Sequence, residues 1–201
     1  MKRISISIAL LSVLLSVPFG LAADKPFAEP ILLTSCGQSA DALMMKTLLT
    51  RDSLAFTYVS SAVPADVQDK GSVIIVLGGS SKGLGAAKIS EADETARVSA
   101  LMGAAEKAGV PVLAAHIGGA NRRGPLSDPF NRLGAEHAAR IIVVKGGNDD
   151  GFFTKIAETN KIPLDTVTTA LNVAPLLLEI YRSDEASTEA AKEKKDEEKN
   201  E

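Results

Sequence analysis

Cys36 is the only cysteine of the sequence, and His116 and His137 are its only histidines. A thiol within hydrogen-bond reach of an imidazole is an activated nucleophile for hydrolysis or group transfer. Cys36 and His116 are therefore the candidate catalytic pair. The run Thr34-Ser35-Cys36-Gly37-Gln38 lacks a Gly-x-Cys-x-Gly elbow. The plainer reading is a small buried thiol, and a histidine that hydrogen-bonds a loop. A single cysteine excludes an intramolecular disulfide, and the histidines fall in no ligand-spaced motif, so no metal centre is expected. Asp128, Asp149 and Asp150 could hold a cation, but they stand where helix caps and turns use aspartates.

Lys82, Arg122 and Arg123 carry a different chemistry. Each lies in a stretch rich in glycine, where backbone N–H groups can approach a ligand. An arginine fork matches a carboxylate or phosphate better than a lone ammonium does. Ser35, Gln38, Ser39, Ser81, Gly83, His116, Asn121 and Asn148 fall in the same stretches and complete the candidate ligand site. One arginine of the pair is expected to face solvent or a neighbouring acid. The ligand expected is a small anion, with a carboxylate favoured over a nucleotide.

The elements that would position these residues alternate along the chain. Ile31 to Thr34, Phe56 to Val59, Ser72 to Leu77, Val112 to Ala115 and Arg140 to Val144 read as strands, with Leu164 to Thr169 a weaker last one. Ser72-Val73-Ile74-Ile75-Val76-Leu77 is apolar without alternation, as in a strand covered on both faces. Helices are read at Ala42 to Leu49, Ala92 to Ala108, Ser127 to Ala138, Phe152 to Asn160 and Val173 to Arg182. Ser39 is placed to cap the first of these. Ser90 with Asp93 forms a capping box for the second, and Gly109 a stop. Strands and helices in alternation predict a three-layer α/β domain, flavodoxin-like or Rossmann-like, with a mainly parallel sheet of about five strands. Thr34 to Ser39, Gly78 to Gly85, His116 to Gly124 and Gly146 to Gly151 would then be loops at the carboxyl edge of one sheet. Open α/β sheets bind ligands there, in the crevice where strand order reverses.

The chain ends differ from this core. Met1-Lys2-Arg3 is basic, Ile4 to Val17 is apolar, and Leu21-Ala22 closes on small residues. That order predicts a signal peptide over residues 1–22, cleaved after Ala22, with no membrane span left after processing. The mature chain is expected to be periplasmic or secreted. Residues 23–182 are the single domain. Residues 183–201 hold eight acidic and four basic side chains and no branched aliphatic or aromatic one, which predicts a charged disordered tail. The formal net charge of −3 gives no footprint for nucleic acid.

Two resemblances stand beside these readings. Gly79-x-x-x-Gly83-x-Gly85 resembles the cofactor turn of short-chain dehydrogenases. That turn should open the first crossover, yet two strands precede it, and neither Tyr58 nor Tyr181 begins a Tyr-x-x-x-Lys motif. No cofactor is expected. The succession Gly37-Gln38-Ser39, Lys82-Gly83-Leu84-Gly85-Ala86, His116 with Gly118-Gly119, Arg122-Arg123-Gly124 and Ser127-Asp128 resembles an exported bacterial family known only as a domain of unknown function. That resemblance implies one domain ending near Tyr181 and lends no catalytic residues. The function expected is binding of a small anionic molecule, with a transport system as a possible partner. The alternatives are an exported hydrolase or transferase using Cys36 and His116 or loop carboxylates, and a protein-interaction accessory module.

Overall fold

The computed structural model describes residues 27–182. The expected signal peptide and charged tail lie outside the described residues. Six parallel strands form one sheet: β1 (Ile31–Cys36), β2 (Phe56–Tyr58), β3 (Ser72–Leu77), β4 (Val112–His116), β5 (Arg140–Val144) and β6 (Leu164–Val167). Their order is β2-β1-β3-β4-β5-β6. The sheet has six strands rather than about five because Leu164–Val167 pairs with β5 along its whole length.

The continuous apolar runs become the central strands. Every residue of β1, β3 and β4 is buried. Each face of such a strand must be covered, and alternate side chains point to opposite faces. Leu32, Cys36, Val73, Ile75, Leu77, Val112 and Ala114 face one layer of helices: α2 (Ser81–Ala87), α3 (Glu91–Ala108), α4 (Asp128–Glu136) and α5 (Phe152–Asn160). Ile31, Leu33, Ile74, Val76, Leu113 and Ala115 face α1 (Asp41–Arg51) and α6, residues 173–182.

Local chemistry sets the helix bounds. Ser90 Oγ accepts the Asp93 N–H at 3.1 Å, and Asp93 Oδ2 accepts the Ser90 N–H at 2.9 Å, so the capping box forms. Gly109 ends α3 in the left-handed region, φ 63°. The stretch Gly78 to Gly85 corrects the expected loop. Ser80 Oγ caps the Gly83 N–H at 3.0 Å, and Ser81 to Ala87 continue as helix α2. One capped turn outweighs the low helix propensity of two glycines.

Among the described residues no helix is long and apolar enough to cross a membrane.

Candidate functional site

With all strands parallel, the loops after β1, β3, β4 and β5 share the carboxyl edge. Strand order reverses between β1 and β3, which is where an open α/β sheet offers its crevice. Here the backbone fills that crevice. The Gly78 N–H donates to Cys36 O at 3.0 Å and the Ser80 N–H to Gly37 O at 2.8 Å. Gln38 bridges to Gly79, and a Cβ on Gly83 would overlap the Gln38 carbonyl. The Gly37 and Gly79 N–H groups are also taken, by Glu94 Oε1 at 2.9 Å and Ser127 Oγ at 3.1 Å. Four N–H groups that could cradle an anion are thus satisfied inside the chain.

Glu94 fixes the first of these loops from below. It is wholly buried on α3 and accepts from Gly37 N–H, Gln38 Nε2, and Arg97 Nε and Nη2. Arg97 also donates to Ala62 O and Ser35 O, at 2.7 and 2.6 Å. Burial pushes the Glu94 carboxyl up, but the Arg97 bonds and the Gly37 N–H outweigh it and hold it below the usual carboxylate range. The residues Glu94, Val98, Leu101 and Ala105 follow helical spacing. That places Glu94 on the buried stripe of α3, a periodicity that the sequence itself carries.

The two arginines take unequal roles. Arg123 Nε meets Asp128 Oδ1 at 2.8 Å, and its Nη1 and Nη2 grip Asp150 at 2.8 and 2.9 Å. Nη1 also donates to Gly147 O at 2.6 Å, and the guanidinium lies 4.3 Å from the Phe152 ring centre. With its donors spent on two acids and a carbonyl, Arg123 staples the β4, α4 and β5 loops together. Asp150 is drawn down to about 2, first by its hydrogen bond to Arg123.

Arg122 is held by one atom. Its Nε donates to Asp41 Oδ2 at 2.8 Å, in the first turn of α1. Neither Nη group has a hydrogen-bond partner among the described residues, and a quarter of the side chain is exposed. Its aliphatic stem lies across Gly78 and Gly118. A Cβ at Gly78 would stand 3.1 Å from Arg122 Cδ, and one at Gly118 would collide with Arg122 Cγ and meet Asp41 Oδ2 at 2.5 Å. Glycine at 118 therefore seats the arginine–aspartate pair. Asp41 joins Arg122 from 81 residues away, a pairing that sequence spacing does not reveal.

The remaining candidates divide. Ser35 is buried, with an Oγ that has no partner. Ser39 Oγ accepts the Asp41 N–H at 3.3 Å, but the N-cap of α1 is Ala40 and the expected side-chain cap by Ser39 does not form. Gln38 is committed to Glu94 and Ser61, and Asn148 Oδ1 caps α5 through the Phe153 N–H at 2.8 Å. Ser81, Lys82 and Asn121 are exposed. Gly83 packs on the Gln38 backbone.

Cys36 and His116 do not meet. Cys36 pairs with Leu77 across β1 and β3, and the β3–β4 register carries Leu77 to His116. Two strand spacings, roughly 10 Å, separate thiol from imidazole, with Leu77 between. The thiol donates to Phe130 O at 3.2 Å, and burial pushes it far above the usual thiol range. His116 is buried, with Nε2 3.0 Å from Arg122 O and the ring centre 4.8 Å from that of Phe153. Burial, followed by the Arg123 charge, holds the imidazole below its usual range despite the bond to Arg122 O. No cluster of metal-ligating side chains occurs among the described residues, and Asp128 and Asp150 are joined by Arg123 instead.

Residues 28–181 match the model of a domain of unknown function, DUF6305. The chain belongs to this family. No curated protein matches the sequence. Among solved structures, a GDSL-like lipase from Bacteroides thetaiotaomicron is similar at 9% identity and TM-score 0.32, over 68% of this chain and 66% of the lipase, just under two thirds of it. AlinE4, an SGNH-hydrolase family esterase, gives 14% identity and TM-score 0.30 over 75% of this chain and 79% of its own. A psychrotrophic esterase, EstA from Pseudoalteromonas sp., gives 10% and 0.28 over 68% and 75%. These neighbours are α/β folds, and their chemistry enters nothing below.

Proposed function

We propose that this DUF6305 domain binds a small anionic molecule, carboxylate-like, at the carboxyl edge of its sheet, without acting on it covalently. The observation that carries the reading is the posture of Arg122. Its Nε is anchored by Asp41, its stem is seated on Gly78 and Gly118, and its two Nη groups are left for a ligand. A guanidinium held by one nitrogen still offers a planar pair of donors, the geometry a carboxylate accepts. Arg123 contributes by fixing the loop that carries Arg122. The separation of Cys36 from His116 supports binding over nucleophilic chemistry.

Export is part of the proposal. The basic, apolar and small-residue order of residues 1–22 supports cleavage after Ala22 and a periplasmic or secreted mature chain. Mass analysis of protein from its native host should give a mature chain beginning at Ala23, and an uncleaved leader would refute it. A transport system remains the proposed partner.

The binding reading is tested by a thermal-shift screen of mono- and dicarboxylates, phosphate, neutral sugars and amines. Anions should stabilise the protein. Arg122→Ala should weaken the best anion by about ten- to a hundredfold, the cost of one charge-assisted contact. Lys82→Ala, an exposed charge on α2 outside the Arg122 loop, should change it little. Hits confined to neutral or cationic compounds, or an Arg122→Ala variant that binds like wild type, would remove the assignment.

A further inference from the structure

The carbonyl of Arg122 is held by two buried side chains from different elements. His116, at the end of β4, approaches it with Nε2 at 3.0 Å, and Asn131 on α4 donates to it from Nδ2 at 2.9 Å. Both residues are wholly buried. Each also carries one atom with no partner, His116 Nδ1 and Asn131 Oδ1. The tautomer follows from the acceptor: Nε2 faces a carbonyl, so Nε2 carries the proton and Nδ1 is bare. Above the ring, a Cβ on Gly147 would stand 2.5 Å from both Nδ1 and Cε1, so the imidazole lies directly beneath that backbone.

We infer that His116 and Asn131 form an acid-released latch on the Arg122 loop, holding the arginine in its binding posture while His116 is neutral and freeing the loop when His116 takes a proton. The inference rests on the reading of Arg122 as the anion contact.

A proton added at Nδ1 would need an acceptor, and beyond the residue's own backbone, a minor influence on the ring, there is none. The charges around it do not help. Arg123, from the same loop, lies close enough to oppose a second positive charge. Asp128 of α4 and Asp150 of the β5–α5 loop are already neutralised by Arg123. Asp41 of α1 favours the proton but is bound to Arg122. Phe153 of α5 offers only its ring. Lys145 and Asp149, in the segment above, are exposed. The proton is accommodated only if residues 117–123 swing away and let water reach Nδ1. The sign follows. In the open loop the imidazole titrates near 6.5, and in the closed loop below that. The closed state is favoured in full above pH ~6.5 and loses ground as pH falls from there toward the closed-state value. His137, the other histidine, lies at the far end of α4 and is exposed, so it does not report on this loop.

The test is amide hydrogen exchange of full-length protein between pH 7.5 and 4.5, corrected for intrinsic rates, with the two His rings followed by NMR. Exchange in residues 117–123 should quicken by about ten- to a hundredfold across this range, as up to two pH units below 6.5 allow. The His116 ring should titrate in step with it. His116→Gln, whose side-chain amide still donates and does not titrate, should flatten the profile. Trifluoroacetate, a carboxylate that stays ionised over this whole range, is the binding probe: its affinity should fall with acid in wild type and hold in His116→Gln. Exchange that stays level in wild type, or that still steps in His116→Gln, would overturn the latch; should the variant not fold, a His116 ring that titrates without loosening the loop would do so. If trifluoroacetate and the other carboxylates fail to bind at pH 7.5 while the exchange step appears, the latch stands as a property of the loop and the anion reading falls.

Discussion

Replacing Glu94 by glutamine should destabilise the domain more than any other single isosteric change at a charged side chain. The carboxylate is fully buried and accepts from three neighbours, and Arg97 is only 11% exposed. Removing the charge while keeping the shape leaves the guanidinium buried without a counter-ion and forces one amide to serve Gly37, Gln38 and Arg97 together. Breaking a buried pair from one side costs about 3–5 kcal/mol. Arg97 keeps its bonds to Ser35 O and Ala62 O, which argues for the lower end, ~3 kcal/mol. At about 2–4 °C per kcal/mol for a domain of this size, Tm should fall by roughly 6–12 °C. Urea unfolding at pH 7 gives the free energy directly. A companion variant, Glu94→Leu with Arg97→Met, should be more stable than Glu94→Gln, because no charge is stranded. Acid should act in the same direction. The Glu94 carboxyl is held below its unfolded value, so its contribution is complete above about pH 4.5 and is lost as pH falls below that. A Glu94→Gln cost under about 1 kcal/mol, or a double variant less stable than the single, would refute the claim that this pair fixes the Gly37–Ser39 loop.

Arg123→Ala should lower stability by about 2–4 kcal/mol in urea unfolding, since it strands Asp128 and the Gly147 carbonyl and frees the β5 loop. The Cys36 thiol should react with Ellman's reagent only as fast as the domain unfolds, because it is buried and burial opposes the thiolate; a rate set by reagent concentration under native conditions would contradict this. Gly118→Ala should displace the stem of Arg122 and weaken carboxylate binding by about tenfold or more, measured by calorimetry, with unfolding changed by no more than ~2 kcal/mol.

Much of this architecture is legible in the chain. The unbroken β3 run, the Ser90–Asp93 box and the Gly109 stop each have a local physical cause, and each is found where expected. Helix α2 was hidden because Gly83 and Gly85 read as loop, while the capping that nucleates it depends on one serine. The site was half legible. Sequence placed Arg122 and Arg123 at the carboxyl edge of the sheet and led to the expectation of unequal roles. It could not say which was free, because the choice rests on Asp41, Asp128 and Asp150, which converge only through the fold. The crevice where strand order reverses, between the Thr34–Ser39 and Gly78–Gly85 stretches, was expected to take the ligand. Its closure by Gly37, Gln38 and Gly78 is a backbone contact between distant segments, for which composition carries no sign.

The most direct measurement is a titration of the best carboxylate into 15N-labelled protein, with the arginine Nε–H resonances resolved. Arg122 should shift in a saturable way that matches the calorimetric affinity, while Arg123, spent on Asp128 and Asp150, should hold its position. A carboxylate that binds without moving Arg122, or that moves Arg123 in its place, would contradict the account.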